Sequence, residues 1–189
     1  MAQWLVVGLG NPGPSYASNR HNIGAMVVAQ WARGRSLTWK ARRFHRADTT
    51  QTRLGCEQIV LGMPRTYMNL SGIAVRNLVG DCKIHPDHLI VIHDELDLEL
   101  GQIRTKFGGG DNGHNGLKSI RANLGGGDYY RIRIGVGRPP PWIDVTDWVL
   151  TNFAASDKQL LAETIARAGE VVESLVGKGL DATQTKYNS

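Results

Sequence analysis

The residues best suited to acid–base chemistry in this chain are His21 and Asp94. His21 opens a stretch with helical spacing. There the partial positive charge of a helix N-terminus disfavours an imidazolium and leaves a neutral ring able to take a proton. Asp94 stands where the apolar run Leu89-Ile90-Val91-Ile92 breaks into His93-Asp94-Glu95-Leu96-Asp97, and in α/β sheets the carboxyl ends of strands are where side chains meet ligands. A carboxylate bonded to one imidazole nitrogen fixes the tautomer and stabilises the cation formed when the other nitrogen is protonated. Such a pair could activate water, the expected nucleophile here because no serine or cysteine has nucleophile-elbow context.

Three asparagines supply a second kind of chemistry. Asn11 lies in Gly8-Leu9-Gly10-Asn11-Pro12-Gly13, Asn69 in Thr66-Tyr67-Met68-Asn69-Leu70-Ser71-Gly72, and Asn115 in the glycine-rich run Phe107 to Lys118, as the expected N-cap of a helix with His114 beside it. Amides both donate and accept hydrogen bonds, which suits recognition of a peptide backbone, although asparagines at such positions are commonly only helix caps. The first motif has the letters of a dinucleotide fingerprint but not its context. Pro12 and Pro14 flank its last glycine and no acid appears before Asp48, so no nucleotide cofactor is expected. The second glycine-rich run lacks the Gly-Lys-Ser/Thr of a phosphate loop. His93, Asp94, Asp97 and His114 could be read as metal ligands, but their spacing matches no ligand signature.

The elements that must position these groups alternate. Trp4 to Val7, Ile59 to Leu61, Leu89 to Ile92 and Ile132 to Val136 read as strands, with Gln102 to Phe107 as a hairpin partner. A helix is predicted from an N-cap at Ser18 or Asn19, with Ile23, Met26, Val27, Gln30 and Trp31 on one face. Others are predicted over Leu70–Val79, Leu117–Leu124, Val145–Asn152 and Asp157–Val176, the last with a stripe of Leu161, Ile165, Ala168, Val172 and Leu175, and residues 181–189 are expected to fray. This predicts one α/β domain over residues 1–189, a three-layer sandwich with helices on both faces of a mixed, largely parallel sheet. Pro139 to Pro141 marks an ordered turn or lid boundary.

The 189 residues carry a net charge of +5, unevenly spread. Arg20, Arg33, Arg35, Lys40, Arg42, Arg43 and Arg46 precede the first acid, Asp48, and a second basic group runs from Arg104 to Arg138. A polyanionic partner is one reading and a pair of solvated faces the other. Cys56 and Cys82 have neither disulfide-framework nor metal spacing and are expected as packing residues in a reducing compartment. Without a signal-like or membrane-spanning stretch, the chain reads as soluble and cytoplasmic.

Taken together, the motif around Asn11, then Tyr16, Arg20-His21-Asn22-Ile23-Gly24, Thr66 to Gly72, His93 to Asp97 and Gly113-His114-Asn115-Gly116-Leu117-Lys118 resemble, in order and spacing, the bacterial-type peptidyl-tRNA hydrolase family. The resemblance runs from the first strand to the long C-terminal helix. It implies a monomeric α/β fold without a cofactor that hydrolyses the ester between a peptide and tRNA. By position it makes His21 the base and Asp94 its orienting partner. Asn11 and Asn69 would hold the peptidyl part and Asn115 would position water or substrate. Tyr16, Met68 and His114 would line the cleft, and Lys106 and Arg133 would contact tRNA phosphates. Asn19 and the pair Asp111-Asn112 depart from the family's usual residues, and the proline run suggests a stiffer lid linker. Two other classes stay open from the residues alone. One is a non-catalytic RNA-binding module built on the basic N-terminal segment with Trp39 and Phe44. The other is a metal-dependent hydrolase using His93, Asp94 and His114.

Overall fold

The computed structural model describes residues 2–188. Its centre is a seven-stranded sheet formed by β1 (Gln3–Gly8), β2 (Lys40–Arg42), β3 (Ala47–Leu54), β4 (Glu57–Pro64), β5 (Leu89–Glu95), β6 (Ile103–Phe107) and β7 (Tyr130–Gly135), in the order β2-β3-β4-β1-β5-β7-β6. The four central strands β4, β1, β5 and β7 are parallel, while β2, β3 and β6 join as antiparallel wings. The helices are α1 (Ile23–Gly34), α2 (Ser71–Cys82), α3 (Asn115–Leu124), α4 (Val145–Val149), α5 (Lys158–Lys178) and α6 (Leu180–Tyr187).

Alternation along the central strands makes two cores. Val6 of β1 and Ile90 and Ile92 of β5 pack with Val27, Val28 and Trp31 of α1 and Val171, Val172 and Leu175 of α5. Leu5, Val7, Leu89 and Val91 point the other way, onto Ala74, Val75 and Leu78 of α2 and Leu117 and Ile120 of α3. In α5, Ala168, Val172 and Leu175 of the predicted stripe are buried, Leu161 and Ile165 are half-buried against the same core, and Thr164 and Val171 are buried beside them. The stripe of α1 is rotated: Val28 and Ala32 are buried, Met26 only partly, and Gln30 lies in solvent.

Five expectations change. The strand β3 was not foreseen because Ala-Asp-Thr-Thr-Gln-Thr-Arg-Leu has almost no apolar run; its threonines were the available signal, and it pairs with β4 across a two-residue turn at Gly55, φ +58°. The segment β6 does pair with β7, but α3 separates them, so they form no hairpin. Residues 181–188 are ordered rather than frayed, and Ser189 lies outside the described residues. Helix α6 buries Thr183, and Gln184 and Asn188 bond the backbone of Thr105, serving the outer edge of β6 as a missing strand would. Finally, α4 ends at Val149 because the residues beyond it turn to hold the segment before α1: Asn19 pairs with Asn152, and the Arg20 guanidinium bonds Thr151 Oγ1 at 2.6 Å and Asn152 O at 2.7 Å. Cys56 is exposed in the β3–β4 turn rather than packed, and both cysteines are free.

The start of α1 crosses the end of β5 at backbone contact. Leu9 N–H donates to Ile92 O at 3.1 Å and Ala25 N–H to Leu9 O at 3.0 Å, and a Cβ on Gly24 would stand 2.1 Å from Ile92 O. Only a glycine lets the two elements approach so closely. Gly24→Ala is expected to force α1 outward and to destabilise the fold by about 1–3 kcal/mol in urea unfolding; an unchanged midpoint would show that the crossing is not tight.

Every residue of β5 is buried, His93 included at 2% exposure. Burial first, then the neighbouring His114, hold its imidazole down at about 3, against 6.5 for the free side chain. The folded chain therefore refuses a proton that the unfolded chain accepts below about pH 6.5, so stability falls as pH drops through that value. The expected loss approaches about 1.4 kcal/mol per pH unit in the window from about 6 to 4.5, above the range where carboxylates contribute. Denaturant midpoints across that window should fall for the wild type and flatten for His93→Gln; equal slopes would remove His93 as the cause.

Candidate active site

The Gly24 crossing sets the turn before it, the single 3-10 turn Arg20–Asn22, over the end of β5. His21 therefore sits in that turn rather than in the first turn of α1. Strand parity puts Asp94 on the same face as Ile90 and Ile92, the face that α1 covers. The two meet: His21 Nδ1 lies 2.9 Å from both carboxylate oxygens, with Asp94 4% exposed. Since an ionised carboxylate only accepts, Nδ1 carries the hydrogen and Nε2 is left as the basic nitrogen.

A second imidazole reaches the same carboxylate. His114 Nε2 lies 2.8 Å from Asp94 Oδ1, while its Nδ1 accepts from the backbone N–H groups of Gly116 and Leu117 at 3.1 and 3.4 Å. His114, not Asn115, is thus the N-cap of α3. The cap fixes its tautomer, so Nε2–H donates to Asp94. Burial alone would push the Asp94 carboxyl up, but the His114 and His21 rings, by their charge when protonated and by the hydrogen bonds they donate, hold it well below the usual carboxylate range. Asn115, released from capping, is the exposed first residue of α3.

Asn11 is placed by a residue the sequence reading passed over. Asn22 accepts from Asn11 N–H at 3.0 Å and donates its amide to Asn11 O at 2.9 Å, clamping the loop after β1. Asn11 Oδ1 in turn accepts from Met68 N–H at 2.7 Å, so the side chain's donor end is the part left for a ligand. The signal for Asn22 was present in its position within Arg-His-Asn, directly before an apolar stretch.

Asn11, His21, Met68, Asn69, Asp94, His114 and Asn115 all line one cleft of about 430 Å³, and Val145, Val149 and Leu150 give it an apolar wall. Tyr16 does not line it. It packs edge-on against Tyr67, ring centres 6.3 Å apart, and acts at most through that neighbour. Lys106 and Arg133 lie outside the cleft, and burial followed by the charges of Arg133 and Arg131 lowers the Lys106 ammonium. Arg133 donates through Nε to Glu95 at 3.0 Å.

Several cations counted as basic surface are structural instead. Arg131 is fully buried and bonds the carbonyls of Gly109, Gly110 and Gly127, pinning the glycine-rich run. Arg20 stacks on Trp148 at 3.7 Å, and Arg35 pairs with Glu173. Asn112, at φ +47°, ties the same run to the strand end by donating to Glu95 Oε1 and Asp97 Oδ2, each at 2.7 Å.

The metal-ligand set suggested by the sequence is not brought together, because Asp97 is turned outward onto Arg138 and Asn112. Among the described residues the group that does converge is His21, Asp94 and His114, whose donor atoms lie within 4.8 Å of one another.

Comparisons with known proteins identify the family. The family model described as peptidyl-tRNA hydrolase matches residues 5–189. The chain is 48% identical to a peptidyl-tRNA hydrolase of Cutibacterium acnes, covering 98% of each chain. Among solved structures, a peptidyl-tRNA hydrolase in complex with N-propanol superposes with a TM-score of 0.92 at 35% identity, over 98% of this chain and 94% of that one. The peptidyl-tRNA hydrolase from Acinetobacter baumannii does so with 0.88 at 34%, over 98% and 96%. A family model that spans residues 5–189, and relatives of this identity and coverage, show that this chain belongs to the peptidyl-tRNA hydrolase family.

Proposed function

We propose that the cleft hydrolyses the ester joining a peptide to the ribose of tRNA, with water as nucleophile and His21 as its base. The observation that carries this reading is the bond of His21 Nδ1 to Asp94, which leaves Nε2 as the basic nitrogen of a side chain that lines the cleft. Water attacks the ester carbonyl as Nε2 takes its proton, and the imidazolium so formed is stabilised by Asp94. On collapse of the tetrahedral intermediate the proton passes to the departing ribose oxygen, giving free tRNA and a peptide acid. Asn11 and Asn69 hold the peptidyl part, Asn115 positions water or substrate, and Met68 and His114 shape the floor. His114 acts through Asp94, restricting its rotation by a second bond to Oδ1.

General-base catalysis contributes about 10²–10⁴-fold. His21→Ala should lower kcat for peptidyl-tRNA by that factor while leaving the unfolding transition in place. A folded variant keeping more than about a tenth of the rate removes His21 from the role. The cluster of His21, Asp94 and His114 also admits a metal-assisted reading, and the same assay with a chelator separates the two: a rate abolished by chelation and restored by zinc assigns the water to a metal.

Lys106 and Arg133 are proposed to grip tRNA phosphate. Arg133 spends only its Nε on Glu95, which leaves the two terminal amino groups able to hold a phosphate bidentately. Replacing both cations should raise KM for full-length peptidyl-tRNA several-fold with kcat little changed, the signature of lost uniform binding. A fall in kcat on a peptide esterified to a single nucleoside would instead place these cations at the reacting ester.

A further inference from the structure

We propose that the loop Arg42–Arg46, with Phe44 at its tip, is a second RNA-contact surface, on the side of the cleft opposite Lys106 and Arg133. The proposal rests on the substrate class assigned above and extends it to a segment that the catalytic reading leaves unused.

The loop follows β2 as a 3-10 turn, Arg43–His45, and closes at Arg46 with φ +52°. Phe44 is 96% exposed, the most exposed large apolar side chain among the described residues. Trp39, the other aromatic residue of the basic segment, packs against the core instead. Arg42 and His45 are both anchored on Asp81, at 2.6 and 3.5 Å, and Arg65 on Asp48 at 2.9 Å. Arg43 and Arg46 form no side-chain bond or ion pair among the described residues. The pairs with Asp81 fix the ends of the turn to α2, and between them Arg43 and Arg46 flank the exposed phenyl ring.

Beside the loop runs a groove of about 490 Å³ lined by Arg42, Arg43, Arg46, Arg65, Tyr67 and Leu70, among others, with Asp48 as its one acid. It is continuous with the catalytic cleft, because Tyr67 lines both and Pro12 follows Asn11 directly. Guanidiniums that pair with phosphate, beside an aromatic face that accepts a base, are the elements of a single-strand RNA platform. Phe44 would carry a base and Arg43 and Arg46 the adjoining phosphates. The sheet order puts this loop at the β2 end and Lys106 at the β6 end, six strand spacings or roughly 29 Å apart. Only an extended polyanion can reach both from one reacting centre between them.

Titration of uncharged tRNA at several salt concentrations tests the surface without reference to turnover. The double substitution Arg43→Ala with Arg46→Ala should flatten the log–log salt slope by about 1.4, or about 0.7 for each phosphate of a single strand. Phe44→Ala should weaken binding about tenfold without altering the slope, and Phe44→Trp should restore it. Wild-type affinity and slope in these variants overturn the proposal. It is also overturned if tRNA titration is unchanged while KM rises for a peptide esterified to one nucleoside, since the groove then belongs to the peptide. A wild-type chain that binds tRNA through this loop yet does not hydrolyse peptidyl-tRNA supports the contact and defeats only the catalytic reading.

Discussion

The carboxylate of Asp94 is buried, and an ionised group in that position survives only when its lone pairs are met by donors. Two imidazoles meet them, and each belongs to a different element: His21 to the turn before α1, and His114 to the start of α3. The end of β5 thereby couples the two helical layers that cover opposite faces of the sheet. Neither imidazole is free to choose its tautomer. His114 is fixed by the backbone N–H groups it caps and His21 by the carboxylate itself, so the protonation pattern of the cluster follows from the folding of helix ends. Removing the charge at Asp94 would leave two buried N–H groups competing for one acceptor, a structural as well as a chemical loss.

Around that centre the backbone is held by polar side chains rather than by further secondary structure. Asn22 clamps the loop that carries Asn11, Arg131 gathers three glycine carbonyls, and Asn112 bridges Glu95 and Asp97. Loops with this many glycines cannot order themselves, because each glycine loses more conformational freedom on folding than any other residue. The guanidinium of Arg131 supplies from one rigid fork what a strand partner would otherwise supply. The rim of the cleft is held from the other side by Arg138, which pairs with Asp97 beyond β7. The cleft mouth is thus framed by ion pairs at its edge, whereas its floor is framed by buried bonds.

The positive charge divides in the same way. Arg20, Arg35 and Arg131 are spent on internal contacts, whereas Arg43 and Arg46 remain available at one end of the sheet and Lys106 and Arg133 stand toward the other. A count of charges along the chain treats these as equivalent; what separates them is whether a carbonyl, an aromatic ring or a carboxylate from a distant element is within reach.

The central parallel strands, the long C-terminal helix and most of the polar residues that line the cleft were legible in the sequence, because an apolar run ending abruptly in charge and a helical stripe of apolar positions are local signals. The strand β3, the helix α6, the cap at His114 and the roles of Asn22 and Arg131 were not. A polar strand is specified by the neighbour it pairs with, and a short polar C-terminal helix by the β6 edge that its Gln184 and the following Asn188 satisfy. A cap depends on which of two adjacent side chains the carboxylate of another element pulls into place. The sequence by itself therefore determined which groups could do acid–base chemistry and the order of the main elements. The tertiary structure alone decided which nitrogen of each imidazole is basic and which arginines are surface, because both depend on partners from distant elements, brought near by contacts such as that of Gly24 with the Ile92 carbonyl.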